Sequence, residues 1–146
     1  MTKSIKNQLV LLFLIACLLS CNSNAYKEEQ KSCVDSVIRM DDSLGSIRNN
    51  ASKTISLSET IKDYIESLNE LEFNACPEKF HIAFKEHIEA WEEMIRTTDN
   101  HPEVRGEMHD LFDKIELSPD SIVFKRKLKR IWDTWAPIEE FIQLKP

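Results

Sequence analysis

The sequence predicts an all-α protein that folds as an antiparallel bundle of four to five helices. Only 2 of the 146 residues are glycine, whereas Leu, Glu and Lys, which favour helices, are abundant. Apolar residues recur at alternating spacings of three and four along most of the chain, and no stretch alternates with period two for long enough to form a strand. Helices of this kind bury their apolar faces against one another.

Helices one and two are predicted from apolar spacing and from capping patterns. Helix one is expected from about residue 28 to residue 50, and helix two begins with a capping-box pattern at Ser56 and Glu59. Asn74 is a suitable C-terminal cap for helix two. The apolar face of helix one consists of Cys33, Val37, Met40, Leu44, Ile47 and Ala51, and that of helix two of Leu57, Ile61, Tyr64, Leu68 and Leu71.

Three further helices follow, each opened by a proline. Pro77 occupies a first-turn position of helix three, which is expected to end near residues 97–100. Helix four is expected to start at residues 100–103, and helix five at residues 118–120. Pro137 should kink helix five or end its regular part. The apolar faces are Phe80, Phe84, His87, Trp91 and Ile95, then Val104, Met108, Leu111, Phe112 and Ile115, then Phe124, Leu128, Ile131, Trp135, Ile138, Phe141 and Ile142.

The first twenty residues have the pattern of a secretory signal peptide. Lys3 and Lys6 form a basic head, residues 9–19 are an apolar run, and Ser20 is a small residue at the expected cleavage site. The run is too short to span a membrane, which needs about twenty apolar residues. We therefore expect a signal peptide at residues 1–20, a short polar tether at residues 21–27 and a helical domain at residues 28–146.

The end of this segment, Leu18-Leu19-Ser20-Cys21, resembles the lipobox of bacterial lipoproteins. The resemblance covers residues 3–22 only, and it implies that Cys21 carries a thioether-linked diacylglycerol and usually an acylated amine. Two or three such chains hold a protein on a membrane without a transmembrane helix. Cys17 also follows a small residue, so it stays an alternative. Asn22 resembles the residue found after the cysteine in lipoproteins sorted to the outer membrane, which implies a location in the cell envelope.

The charge of the mature chain argues against nucleic acid as a partner. The 19 basic residues fall to 17 without Lys3 and Lys6, against 25 acidic residues, so the formal charge of −6 becomes −8. Contacts with phosphates need clustered cations. The only basic run lies at residues 125–130, where it is expected to pair with acidic helices one to three, although contact with anionic lipid headgroups is an alternative.

Cys33 and Cys76 are predicted to form a disulfide, because the cell envelope is often oxidising. Helix one rises for about 26 Å after Cys33 and helix two descends a similar distance, which returns Cys76 to the level of Cys33. The alternative is a reactive Cys76 thiol, whose pKa the following helix would lower.

No metal, cofactor or catalytic residue is predicted. Gly45 and Gly106 are far apart in sequence, which excludes nucleotide-binding loops and the nucleophile elbow, since these need clustered glycines. Glu78 and His81 match half of a di-iron motif, but such bundles need the motif twice. His87 is expected to be a hydrogen-bonded histidine of the core.

The aromatic residues suggest one possible binding site. Phe84, Trp91, Trp132 and Trp135 could line a groove between helices three and five, with Trp132 half exposed, although packing in the core is the simpler interpretation. The leading hypothesis for function is a non-catalytic interaction domain of the envelope that binds another envelope protein. The alternative is a bundle that carries a small apolar ligand or cofactor in this groove, and the third is a thiol-dependent enzyme.

Overall fold

The computed structural model describes the backbone of residues 2–143 and the side chains of residues 25–143. Five helices make up this part of the chain: α1 (Thr2–Ala51), α2 (Leu57–Asn69), α3 (Glu78–Thr98), α4 (Met108–Glu116) and α5 (Ser121–Gln143). Within residues 2–143 there is no strand. The predicted all-α bundle is therefore confirmed.

Helix α3 lies at the centre of the bundle, between α2 and α5, while α1 packs mainly on α2 and α4 packs on α5. Tyr64 of α2 contacts Trp91 of α3, and Ser58, one and a half turns earlier, donates to Asp99 just beyond the end of α3. Along α3 and α5 the order of contacts is also reversed, from Phe80 with Phe141 to His87 with Trp135. Both neighbours of α3 thus run antiparallel to it.

Helix α1 is longer than predicted. It continues through residues 21–27, where a tether was expected, so the backbone of that stretch is helical. The physical reason is that this stretch contains neither proline nor glycine to stop the helix. The side chains of Cys17 and Cys21 lie outside the described residues, so lipidation and the division after residue 20 stay predictions. Among the described residues, no helix has an apolar stretch long enough for a membrane crossing.

The inward face of α1 also differs from the predicted one. Met40 and Ile47 are 47% and 60% exposed, whereas Val34, Val37 and Asp41 are buried. The prediction followed the apolar side chains of the helix. The structure instead turns a face with two charged members, Asp41 and Arg48, towards the other helices.

Helix α2 begins as predicted and ends earlier. The Ser56 hydroxyl accepts from the Glu59 backbone N–H at 3.2 Å, and the Glu59 carboxylate accepts from the Ser56 N–H at 3.3 Å, which completes the capping box. The helix ends at Asn69, so the prediction of Asn74 as its cap is wrong. Residues 70–77 form a loop because Phe73 packs back on the core there and Cys76 bonds to Cys33.

Helix α4 starts at Met108, beyond the predicted start at residues 100–103. Gly106 has a φ of 141°, which a helix cannot accommodate, and its backbone N–H and carbonyl both bond to Ser52, at 3.0 and 2.9 Å. Helix α5 begins near the predicted residue and continues past Pro137 to Gln143. Pro137 is exposed, so water can satisfy the carbonyl that the missing N–H leaves without a partner.

The predicted disulfide is present. Cys33 of α1 is bonded to Cys76 in the loop before α3, with a Cα–Cα distance of 5.1 Å. The bond joins the start of the helical domain to the base of its central helix. Since both sulfur atoms are bonded to each other, the hypothesis of a thiol-dependent enzyme lacks its nucleophile in this structure.

Candidate ligand-binding groove

An open groove of about 360 Å³ lies between α1, α3, α4 and α5, and we call it the tryptophan groove. One wall is apolar and comes from the last three of these helices. The opposite wall comes from the inward face of α1. The apolar wall contains Trp91, Met108, Phe112, Leu128, Ile131, Trp132 and Trp135, and the α1 wall contains Asp41, Asp42, Gly45, Ser46, Arg48 and Asn49.

Three of the four residues predicted to line a groove do so. Trp91, Trp132 and Trp135 line the tryptophan groove, and Trp132 is 63% exposed. Phe84 is fully buried and does not line it, so the prediction for this residue is wrong. It lies one helical turn before His87, where Phe73 and Phe80 enclose it.

A second depression of similar volume, about 360 Å³, lies near the start of the described side chains. Lys27, Lys31 and Val34 of α1 line it together with Pro77 and Phe141. It presents a single aromatic ring, and its two lysines are exposed. The tryptophan groove combines more aromatic surface with a buried aspartate and a half-buried arginine, which makes it the better candidate for a site.

His87 lies behind the aromatic wall and is held by two hydrogen bonds. Its Nε2 accepts from the indole N–H of Trp91 at 3.1 Å, and its Nδ1 lies 3.1 Å from the Thr134 hydroxyl. The accepting role of Nε2 places the proton of the neutral ring on Nδ1. Burial lowers the pKa of His87 to about 4. His87 is thus a neutral, hydrogen-bonded core histidine, as predicted, and it orients Trp91.

Arg48 is the most unusual side chain of the site. Its guanidinium carbon lies 4.4 Å from the centre of the Tyr64 ring and 4.2 Å from that of Trp91, so the cation contacts two aromatic faces. Nε and Nη2 donate to the side-chain oxygen of Asn49, at 3.4 and 3.3 Å. Nη1 is buried and has no hydrogen-bond partner. Burial lowers the pKa of Arg48, which nevertheless stays a cation.

Asp41 lies beside this cation but is hydrogen-bonded to another group. The Tyr64 hydroxyl donates to its carboxylate at 2.5 Å. Burial raises the pKa of Asp41, and the Tyr64 hydrogen bond and the nearby Arg48 partly oppose that shift. Burial and the adjacent carboxylate also raise the pKa of Tyr64, which keeps this hydroxyl protonated as a donor.

Four residues of the basic run of α5 form ion pairs within the protein. Lys127 and Arg130 both contact Glu93 of α3. Lys125 lies 3.1 Å from Glu116, and Lys129 lies 2.6 Å from Asp133. Pairs at a protein surface contribute little stability, at most about 1 kcal/mol each. The two pairs with Glu93 match the expected pairing of this run with acidic helices one to three, whereas Glu116 lies in α4 and Asp133 in α5 itself.

Metal-binding side chains are not clustered in the part of the chain with described side chains. Among residues 25–143, no group of three or more His, Cys, Asp and Glu residues could hold one ion. His109 lines the tryptophan groove, whereas His101 lies 3.1 Å from Asp120 in a separate ion pair.

Sequence reasoning missed Asp41, Gly45 and Arg48, which form the polar wall of the groove. A signal for them exists, since Val34, Val37, Asp41 and Arg48 follow helical spacing. A search for apolar helix faces passes over this set of residues, because Asp41 and Arg48 are charged. In retrospect, the lone glycine within helix one is the other clue.

Comparisons with known proteins add no relative. No family model matches the chain, and no curated protein or solved structure is significantly similar to it. The geometry and charge of the groove are therefore the basis on which its function is inferred.

Proposed function

We propose that this protein is a non-catalytic binding protein of the cell envelope, held on a membrane by lipid on Cys21. Its binding site is the tryptophan groove, and its ligand is a small molecule with a flat apolar part. The observation that carries this proposal is the exposure of Trp132 beside Trp135 and Leu128 in one concave surface.

The exposure of Trp132 has a cost that a ligand removes. A tryptophan side chain can bury about 150–250 Å², and Trp132 is 63% exposed. At about 25 cal/mol per Å², the exposed part forgoes on the order of 2–4 kcal/mol. A flat apolar ligand that covers this ring recovers part of that energy on binding. Small-molecule sites are usually lined by apolar and aromatic side chains of this kind.

The polar groups around the groove support binding more than catalysis. Both nitrogens of His87 are engaged within the core, and the Asp41 carboxylate already accepts from Tyr64. His87 is therefore not free to take a proton from a substrate. Tyr64 and Asp41 are a hydroxyl and a carboxylate within hydrogen-bonding reach, but burial raises the pKa of Tyr64, so its hydroxyl stays protonated and is a poor nucleophile.

Helix α1 connects the groove to the proposed lipid anchor and sets the distance between them. The α1 wall lies at residues 41–49, and α1 is continuous back to Thr2. At 1.5 Å per residue, the groove lies roughly 30–40 Å along this helix from Cys21. This distance favours a ligand taken from the aqueous phase of the envelope over one taken from the bilayer.

A second candidate function is the binding of another envelope protein. Met40 and Ile47 are exposed on the outer face of α1, and Trp132 is exposed on α5. An aromatic side chain of a partner protein could then occupy the groove in place of a small molecule. Removal of the Trp132 side chain should weaken binding of either a small molecule or a partner protein. The mass of the bound species that the variant loses therefore distinguishes the two functions.

Native mass spectrometry of protein extracted from its own envelope tests the proposed function. The wild type should retain a small molecule that Trp132→Ala loses. Ile122→Ala is the matched control, because Ile122 is 82% exposed on the same helix and does not line the groove. Retention of a protein by the wild type and not by Trp132→Ala supports the second candidate. Turnover of the small molecule by the purified protein contradicts a non-catalytic role.

The proposed anchor has a separate test. Intact mass spectrometry of the mature protein should give a chain that starts at Cys21 and carries acyl groups. In a detergent cloud-point separation, the wild type should enter the detergent phase. Acyl groups on Cys17 would move the site to the alternative, and a mature chain without lipid would contradict the anchor.

A further inference from the structure

We infer that Arg48 recognises a carboxylate, so that the ligand of the tryptophan groove is a small aromatic or alicyclic carboxylic acid. The inference rests on the proposed function of the groove and specifies its ligand class. The apolar wall would cover the ring of such a molecule. The guanidinium on the opposite wall would bind its carboxylate.

The geometry of Arg48 leaves one donor of its guanidinium, Nη1, without an acceptor. Asn49 accepts from Nε and Nη2, which occupies the side edge of the group. The end edge, formed by Nη1 and the second N–H of Nη2, is left, and Nη1 has no acceptor although it is buried. Two parallel N–H groups at one edge match the two oxygens of a carboxylate. A buried donor without an acceptor is uncommon in folded proteins, and it marks a position where a partner is expected.

The neighbouring acids do not supply that partner within the bundle. Asp41 accepts from the Tyr64 hydroxyl, and Asp42 is exposed at the rim of the groove. The guanidinium lies beside both Tyr64 and Trp91, whose rings are nearly perpendicular, and these two contacts restrain its position while it forms hydrogen bonds through its edges. Arg48 is thus oriented before a ligand arrives, and this reduces the entropy that binding loses.

Among charged ligands, a monoanion is the class that a single guanidinium can pair with. A cationic ligand would meet Arg48, which already occupies the aromatic faces of Tyr64 and Trp91. A doubly charged phosphate would meet Asp41 and Asp42 with only one arginine to offset them. One carboxylate balances one guanidinium, while the apolar wall accepts an uncharged ring.

Gly45 gives independent support from the same wall. It lies within α1 without a positive φ, so no backbone conformation requires glycine there. Glycine in the middle of a helix is unfavourable relative to alanine. A Cβ at this position would meet only the Nη2 atom of Arg48, at 3.8 Å, so the bundle has room for alanine. The space that glycine leaves open belongs to the groove and borders Nη2 of Arg48.

The test compares two probes of the same shape, 2-naphthoate and its neutral isostere 2-naphthamide. Binding to the full chain in phosphatidylcholine nanodiscs is measured by equilibrium dialysis, with empty nanodiscs as the reference. The wild type should bind the carboxylate at least about tenfold more tightly than the amide, as expected for a charge-assisted pair. Arg48→Met should abolish that preference and leave the affinity for the amide within about threefold.

Three further variants separate the role of Arg48 from effects on folding or on net charge. Arg39→Met is the matched control, because Arg39 is an exposed arginine of the same helix outside the groove, and it should keep the preference. Arg48→Lys keeps the charge but lacks the paired N–H groups, so it should lose most of the preference. Gly45→Ala should bind the carboxylate more weakly by about threefold or more while its thermal stability does not fall.

The outcomes distinguish failure of the inference from failure of the proposed function. Equal affinity of the wild type for both probes, or an equal loss of both in Arg48→Met, overturns the role of Arg48 and leaves the groove as a site. If neither probe binds, or if Trp132→Ala leaves both affinities unchanged, the groove itself is not the binding site.

Discussion

Helices α3 and α5 form two regions of opposite character along their shared length. At one end, Phe73, Phe80, Phe84 and Phe141 pack ring against ring, with centroids 5.4–6.3 Å apart, and we call this cluster the phenylalanine core. At the other end, the same two helices supply the tryptophans of the groove. The first region contains two fully buried rings, Phe80 and Phe84, next to the disulfide, whereas the second contains a half-buried arginine, a buried aspartate and an exposed tryptophan.

The difference indicates how one bundle divides two tasks. Hydrophobic burial at the phenylalanine core supplies stability, and it does so without polar groups that need partners. The tryptophan groove keeps features that weaken folding, such as a partly unsatisfied cation and a helical glycine. A region of this composition is expected where binding, rather than stability, determines the residues.

The largest expected effect is the removal of a ring from the phenylalanine core. Phe84→Ala should lower the free energy of unfolding by about 3–5 kcal/mol, because Phe84 is fully buried and leaves a cavity. Trp132→Ala, on the same pair of helices, should change it by less than about 0.5 kcal/mol, since an exposed side chain leaves none. Urea denaturation followed by circular dichroism measures both. Similar losses in the two variants would contradict the division into a stabilising core and a binding groove.

The disulfide should contribute nearly as much as one core ring. Cys33 and Cys76 are 43 residues apart, and a loop of this length constrains the unfolded chain by about 4 kcal/mol in the entropic description. The double variant Cys33→Ser and Cys76→Ser should lose that amount. Reduction of the wild type by dithiothreitol should give the same loss, whereas the double variant should not respond to it. A response of the double variant would mean that reduction acts elsewhere in the chain.

His87 provides a pH test of the boundary between the two regions. Its pKa is lowered to about 4 in the folded protein from an ordinary value of 6.5, with burial as the main cause. Above pH 6.5 neither state is protonated and its contribution is complete. Between pH 6.5 and 4 only the unfolded state takes up the proton, so stability should fall by about 3 kcal/mol as the solution is acidified.

The contribution of His87 is isolated by comparison with His87→Gln, which cannot be protonated in this range. Urea denaturation of both proteins at several values between pH 7.5 and 4 gives the two pH dependences. The carboxylates Glu59, Glu93 and Asp99, whose pKa values are lowered, affect both proteins alike. The difference between the free energies of unfolding of the two proteins, followed against pH, should therefore give the contribution of His87. Parallel curves would mean that His87 is protonated in the folded state or exposed.

The sequence predicted the phenylalanine core better than the groove, and the reason is physical. Apolar periodicity identifies buried rings such as Phe80 and Phe84, and the capping box identifies the start of α2, because both depend on local spacing. The loop at residues 70–77 ends α2 early through tertiary contacts that no local pattern contains. Asp41 and Arg48 were missed because their burial depends on Tyr64 and Trp91 from two other helices.

The smallest expected effect contrasts the two glycines of the chain. Gly45→Ala should raise the free energy of unfolding by about 0.5–1 kcal/mol, because alanine is the better helix former and its Cβ meets no atom closer than 3.8 Å. Gly106→Ala should lower it by about 1 kcal/mol or more, because Gly106 has a φ of 141° that alanine adopts only with strain. Thermal and urea denaturation of the two variants should shift in opposite directions. If Gly45→Ala is destabilising, the bundle itself needs glycine at that position, and its place in the groove is no longer evidence for a ligand.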